Sequence, residues 1–291
     1  MPFISVIVPV YNGIGSIQTL LNALSDQTYS SSCYEIIVVD DGSKDNTADF
    51  IKQIYPEIKT LTQDNGGSYK ARNTGVSSSK GVVLAFTDAD CIPAPDWIEK
   101  GITALTSHKV DIIAGGISML FNNSNSAVEK YDANFGLNQE YYATTLGFGA
   151  TANLFTYRKI FDDVSGFDDT LYSGGDQKFC NQAIACGARL KYSPDVLIQH
   201  PTRKSLKSLS KKTIRVAKGR ALMAPNIGYY FPRTLSVFPA LYYNYKNDKK
   251  TMNPFLHSKY IVLHYYQELL RIIFYSKTRL FLVQKPVTEF K

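Results

Sequence analysis

The chain has 291 residues, 44% of them hydrophobic, which excludes a disordered chain and allows one large α/β domain or a domain with an extension. The net charge of +7 hides a split: residues 1–200 carry 14 Lys and Arg against 22 Asp and Glu, net −8, while residues 201–291 carry 18 against 3, net +15. Four cysteines (Cys33, Cys91, Cys180, Cys186) show no C-x-x-C spacing, which argues against a zinc site or disulfide framework and for buried thiols in a reducing compartment.

The first residues, Met1 to Ser5, carry no basic region ahead of the apolar stretch and read as the start of a strand, not a signal peptide. No apolar run reaches the ~18 residues of a membrane span. Ser5 to Val10 is the first predicted strand. Ile17, Leu20, Leu21 and Leu24 then follow helical spacing. Glu35 to Val39 is a buried-strand run closed by the turn Asp40-Asp41-Gly42-Ser43. A helix with Ile51, Ile54 and Tyr55 on one side comes next, then a strand from Ile58 to Thr62 and a short helix holding Ala71 to Ser77. Val82 to Thr87 is a strand that ends at Asp88-Ala89-Asp90. Pro95 opens a helix with Trp97, Ile98, Ile102 and Leu105 inward. Strand alternating with helix predicts an α/β fold, with parallel strands covered by helices.

Further along, Val110 to Phe121 reads as strand, Ser126 to Tyr142 as one helix, Gly147 to Phe155 as strand, Asp176 to Cys186 as helix with Phe179, Ala183 and Cys186 inward, and Val196 to Gln199 as a last strand ending at His200. After Pro201 the composition turns basic, from Arg203 to Arg220 without one acid. Residues 227–245 are rich in Tyr, Phe and Pro, and Ser258 to Lys277 is helical by pattern, broadly apolar with Lys259, Arg271, Lys277 and Arg279 as a basic rim. The division expected is a domain over 1–200 and a basic helical extension over 201–291. An apolar face with a basic rim fits a helix lying on an anionic membrane surface. A helix packed on the body or into a homodimer gives a similar pattern. Tyr229, Tyr230 and Tyr242 could stack on bases, but their mixture with Leu, Ile and Pro suits a lipid interface equally, and no nucleic-acid partner is expected.

Five elements point to one site. Pro9, Tyr11 and Asn12 end the first strand, where polar groups could meet a base or ribose. Asp41 ends the second and could accept from a base N–H or ribose hydroxyl; otherwise it is a turn acid capping the next helix. Asn65-Gly66-Gly67, Lys70 and Arg72 supply a flexible turn and cations for phosphate or a base edge. Asp88 and Asp90, two residues apart at a strand's carboxyl end, offer hard oxygens for Mg²⁺ or Mn²⁺ against a diphosphate. Asp176, at a helix start, reads as a cap or a general base. His200 could be a metal ligand, a diphosphate contact or a structural histidine. Transfer of a sugar from a nucleotide needs this set: charge to stabilise the departing diphosphate and a separate base for the acceptor proton. No Ser-His-Asp or Cys-His pattern suggests a covalent route.

Ser5-Val6-Ile7-Val8-Pro9-Val10-Tyr11-Asn12, Glu35 to Thr47 (EIIVVDDGSKDNT), Ala71-Arg72-Asn73-Thr74-Gly75 and Thr87-Asp88-Ala89-Asp90 resemble, in order and spacing, the family 2 glycosyltransferases of the GT-A fold. The likeness continues through Gly149 to Asn153, Gly166-Phe167-Asp168 and Gly175-Asp176, covering roughly residues 3–200. It implies an inverting, metal-dependent hexosyltransferase that moves a sugar from a nucleotide-diphosphate sugar, a UDP-sugar foremost, to a hydroxyl of a glycan or lipid-linked acceptor in polysaccharide or glycoconjugate synthesis. Under it Asp41 would contact the base, Arg72 the nucleotide, Asp88 the ribose or metal, Asp90 the Mg²⁺ or Mn²⁺, and Asp176 would be the base. Such an enzyme would be cytoplasmic and peripheral on the inner face of the cell membrane.

Two departures stand out. The family often has Glu-Asp where this chain has Gly175-Asp176, and the Gln/Arg-x-x-Arg-Trp motif of processive synthases is absent, since Trp97 is the one tryptophan, which favours single addition. A sugar-nucleotide nucleotidyltransferase would carry a basic loop after the first strand, and Asn12-Gly13-Ile14-Gly15-Ser16 has no Lys or Arg. A non-catalytic nucleotide-sugar-binding protein is the other alternative.

Overall fold

Seven consecutive buried, mostly β-branched residues make β1 (Ile4–Val10), which can only be an interior strand. The structure, a computed structural model, describes residues 1–223 and 254–284. After β1 come α1 (Ile17–Ser25), β2 (Tyr34–Asp40), α2 (Thr47–Ile54), β3 (Lys59–Thr62), α3 (Ser68–Ser77) and β4 (Val83–Thr87). β1 pairs in parallel with β2 and β4, and β2 with β3. Parallel pairing brings the carboxyl ends of β1, β2 and β4 to one edge, so Tyr11, Asp41 and Asp88 all leave the sheet there. α3 lies tight against β1 and β2 because Gly75 has no side chain: a Cβ there would fall 2.7 Å from Ile7 Cγ2.

The second half brings β5 (Ile92–Pro93), α4 (Trp97–Ser107), β6 (Ile112–Leu120), α5 (Ala127–Phe135), α6 (Gln139–Thr145), β7 (Asn153–Tyr157), α7 (Arg158–Asp163), α8 (Gly175–Ala185) and β8 (Leu190–Pro201). The eight strands form one mixed sheet in the order β3-β2-β1-β4-β7-β6-β8-β5, with β7 antiparallel to β4 and β6. The β6–β8 register slips between Gly115 and Gly116. Asn153 fills that break: its Nδ2 donates to Gly116 O (2.8 Å) and Val196 O (2.7 Å), and its Oδ1 accepts from Trp97 Nε1 (2.9 Å). The fully buried amide thus replaces missing ladder bonds and satisfies the tryptophan.

Some expectations change. The single helix predicted over 126–142 is two, α5 and α6, because Ser126 caps the first (Glu129 N, 3.3 Å) and Asn138 starts the second (Tyr141 N, 2.9 Å). The strand predicted from Gly147 begins only at Asn153, since Gly147 turns with φ of 71°. Ile54 is 49% exposed and Cys186 is exposed, one residue past the end of α8, so that thiol is not among the buried ones.

The chain divides into two compact units. One comprises Met1–Leu120, Asn138–Thr170 and Gly175–Pro201 and contains the sheet; the other comprises Phe121–Leu137, Leu171–Gly174 and the chain from Thr202. Among the described residues its helices are α5, α9 (Leu206–Met223) and α10 (Pro254–Gln284). Tyr131, Leu209, Tyr260 and Leu263 form one apolar cluster in it, and Ala217, Ala221 and Tyr275 another. Against the pull of burial, Lys212 and Arg203 hold the fully buried Asp132 below the ordinary carboxylate range. α10 has an inverted polarity. His264 and Gln267 are buried on it, and both His264 ring nitrogens lack partners among the described residues; burial lowers the His264 pKa to about 4, so the ring is neutral. Val262, Tyr265, Leu269, Ile272, Ile273 and Leu280, spaced along one helix face, are exposed. On α9, Lys207, Lys211, Arg215 and Lys218 are all exposed at helical spacing. The aromatic stretch 227–245 lies outside the described residues.

Candidate active site

At the end of β1, the loop is tied to the one that follows β2. Asn12 N donates to Ser43 Oγ (2.8 Å), Lys44 N to Asn12 Oδ1 (2.8 Å) and Gly13 N to Thr47 Oγ1 (3.0 Å). Pro9 is buried within β1, opposite Val39, while Tyr11 is half exposed. Asp45, not Asp41, turns the chain into α2, accepting from Thr47 N at 3.2 Å.

Asp41 has another task. It is 3% exposed, and its carboxylate accepts from Gln63 Nε2 (2.7 Å), Gly66 N (2.9 Å), Gly67 N (2.8 Å) and Asn65 Nδ2 (3.2 Å). These donors fill the four acceptor positions of a carboxylate. A base N–H would have to displace one of them. Asp41 therefore shapes the loop that leads into α3.

α3 gathers the rest. Arg72, almost fully buried, forms an ion pair with Asp88, and its Nε has no partner among the described residues. Asn73 clamps the Gly166–Asp168 turn: Nδ2 donates to Phe167 O (2.8 Å) and Phe167 N donates to Asn73 Oδ1 (3.0 Å). Tyr69 donates to Asp176 Oδ1 (3.2 Å), and Gln177 N reaches the same oxygen at 2.9 Å. Loss of solvation pushes the Asp176 pKa above the ordinary carboxylate range, against the Gln177 N–H, Arg72 and the Tyr69 hydroxyl, with Asp88 reinforcing the rise. One short helix thus joins Asp88 and Asp176, 88 positions apart in the chain. Tyr69 escapes a reading of the sequence, although its place three residues before Arg72 puts both on one helical face.

Asp90 faces a different neighbourhood. β5, only two residues long, pairs antiparallel with β8, Ile92 opposite Gln199, and this carries the Asp90 turn to His200. His200 Nε2 lies 3.7 Å from Asp90 Oδ1. His200 Nδ1 lies 2.8 Å from Pro201 O, a pure acceptor, so Nδ1 is a donor, and in the neutral ring Nε2 is the nitrogen with the lone pair. Ligand atoms of Asp90, Cys91 and His200 lie within 4.8 Å of one another. Burial, with Asp88 and Asp90 nearby, pushes the Cys91 thiol well up. A carboxylate and a bare imidazole nitrogen fit a divalent cation such as Mn²⁺ or Mg²⁺.

Residues 5–165 match the family profile described as glycosyl transferase family 2. Glycosyltransferase AglE of Haloferax volcanii is 38% identical over 224 residues, 76% of this chain and 73% of that protein. A dolichyl N-acetyl-alpha-D-glucosaminyl phosphate 3-beta-D-2,3-diacetamido-2,3-dideoxy-beta-D-glucuronosyltransferase of Methanococcus voltae is 25% identical, covering 82% of this chain and 78% of that one. The mannosyltransferase PcManGT of Pyrobaculum calidifontis, solved with GDP-Man and Mn²⁺, superposes with a TM-score of 0.61 at 17% identity over 96% of this chain and 87% of that chain, a likeness of fold.

Proposed function

The chain belongs to glycosyl transferase family 2, and from that premise we propose that it moves a sugar, with inversion, from a nucleotide-diphosphate sugar to a hydroxyl of a glycan or lipid-linked acceptor. The observation that carries this is the arrangement on α3, which holds an arginine against Asp88 and a tyrosine against the raised carboxyl of Asp176. Asp176 takes the acceptor's proton as its oxygen attacks the anomeric carbon. Both donors to Asp176 reach Oδ1, leaving Oδ2 for that proton. Arg72, whose guanidinium pairs with Asp88 and whose buried Nε has no partner among the described residues, would supply positive charge to the nucleotide. Pro9, Tyr11 and Asn12 form the base side, and Asp41 acts there through the Gln63–Gly67 loop that it holds. Asp90 and His200, with Asp88 as a lesser partner, would hold Mg²⁺ or Mn²⁺, whose positive charge would offset the negative charge of the departing diphosphate. The Methanococcus voltae relative, a transferase described with a dolichyl-phosphate-linked sugar, favours a lipid-linked acceptor. The test is turnover: with Mn²⁺, a panel of UDP- and GDP-sugars should yield nucleoside diphosphate, a UDP-sugar being the first choice.

Residues 1–200 would carry this chemistry and residues 201–291 the contact with an anionic membrane. Among the described residues no helix is long and apolar enough to cross a membrane, so α10 would lie in the interface. Its buried polar side chains and exposed apolar face suit an apolar outer medium, and the acid-free α9 matches anionic headgroups. Vesicles with phosphatidylglycerol should float the full chain at low salt and lose it at high salt or on Leu269→Glu with Ile273→Glu. Concentration-dependent mass without flotation would point to a homodimer sealed by that face instead.

A further inference from the structure

Gly175 and Tyr69 occupy one space. A Cβ on Gly175 would fall 2.8 Å from Tyr69 Cδ2 and Cε2 and 2.9 Å from Cζ, closer than real Cβ atoms approach. The ring is 6% exposed, packs on Phe167 with centroids 5.6 Å apart, and lies under Arg72, whose Cζ is 5.7 Å from the ring centroid. From that seat its hydroxyl reaches Asp176 Oδ1. We propose that Tyr69 is the positioning residue of Asp176, seated by the missing side chain at Gly175. This rests on the reading of Asp176 as the base.

The division of labour follows from the geometry. The carboxylate is oriented by two donors on one oxygen, so it turns a single lobe to the acceptor. A phenol is a polar donor with a rigid body, and it loses little rotamer freedom in holding this pose. The same hydrogen bond favours the ionised carboxylate, limiting the rise that burial imposes. Among the described residues, the charged and titratable groups that also face Asp176 are Arg72 on α3, Asp88 after β4 and the buried Cys180 on α8 itself. Arg72 is held by Asp88, so Tyr69→Phe should remove the hydroxyl without removing the cation.

Carboxyl carbon NMR on ¹³C-aspartate-labelled, EDTA-treated protein tests this without a substrate, Asp176→Asn assigning the resonance. Tyr69→Phe keeps the ring and removes the hydroxyl. Its Asp176 midpoint is expected to rise by about one unit. Gly175→Ala, which crowds the ring away, should give the same direction of shift. Combined with Tyr69→Phe it should add less than in the wild type. With an active nucleotide sugar, Tyr69→Phe should lower kcat about tenfold with little change in donor KM, and its acid limb should move to higher pH. An unchanged Asp176 midpoint in Tyr69→Phe overturns the proposal, even if Asp176→Asn is inactive. Wild-type turnover in Asp176→Asn removes the base reading instead and leaves the hydrogen bond measurable.

Discussion

Asp176→Asn is expected to lower turnover of a nucleotide sugar by about 10²–10⁴-fold, the usual worth of a positioned general base, while nucleoside diphosphate affinity changes by less than about twofold. The asparagine keeps the volume and can still accept from Gln177 N and Tyr69, so α8 should hold its place. What it loses is the ability to take a proton. The wild-type profile carries a second signature. Burial raises the folded pKa of Asp176 above its ordinary value. The base works only when ionised, so activity should fall as pH drops through that raised value, and the acid limb should lie above the range of an ordinary carboxylate. Calorimetric titration with UDP or GDP separates binding from chemistry. A variant that binds poorly and turns over normally per bound donor would contradict the role.

Asp90→Ala should have the next largest effect. Nucleoside diphosphate binding in Mn²⁺ is expected to weaken at least about tenfold, and binding in EDTA to stay where it was. The reason is the ligand pair: Asp90 Oδ1 and His200 Nε2 lie 3.7 Å apart and can converge on one cation, whereas Asp88 is paired with Arg72. Asp88→Asn should behave differently. It releases Arg72 from its partner, so it should alter affinity in EDTA as well as in Mn²⁺. If Asp90→Ala and Asp88→Asn shift the Mn²⁺ dependence equally, the two aspartates share the cation and the division between them is wrong.

The parallel half of the sheet was legible because buried β-branched runs leave few alternatives: β1, β2 and β4 fall where the apolar segments do, and Asp41 and Asp88 follow them. Partnerships across long separations were not. His200 meets Asp90 through β5, two residues with no periodicity to read. Tyr69 and Gly175 meet because a glycine leaves room for a ring 106 positions away, and a missing side chain announces no partner. Asp41 looked like a ligand contact or a helix cap, as its residue type and turn allow both; its hydrogen bonds to a loop over 20 residues later make it an organiser. The same holds for Asn153, whose value lies in a register slip between β6 and β8 that no local pattern encodes. The helix break at Gly136 shows local chemistry winning over periodicity, as Asn138 begins a new helix inside an otherwise continuous pattern.

Proton NMR of the reaction tests the central claim most directly. The full chain, diamagnetic Mg²⁺ and each of a panel of UDP- and GDP-sugars would be followed in one tube, with and without a polyprenyl-phosphate-linked acceptor. The expected result is nucleoside diphosphate together with a sugar product whose anomeric proton shows the configuration opposite to the donor's, in wild type and not in Asp176→Asn. Release of pyrophosphate from a nucleoside triphosphate and sugar phosphate, or retention of the donor's configuration, would contradict the account.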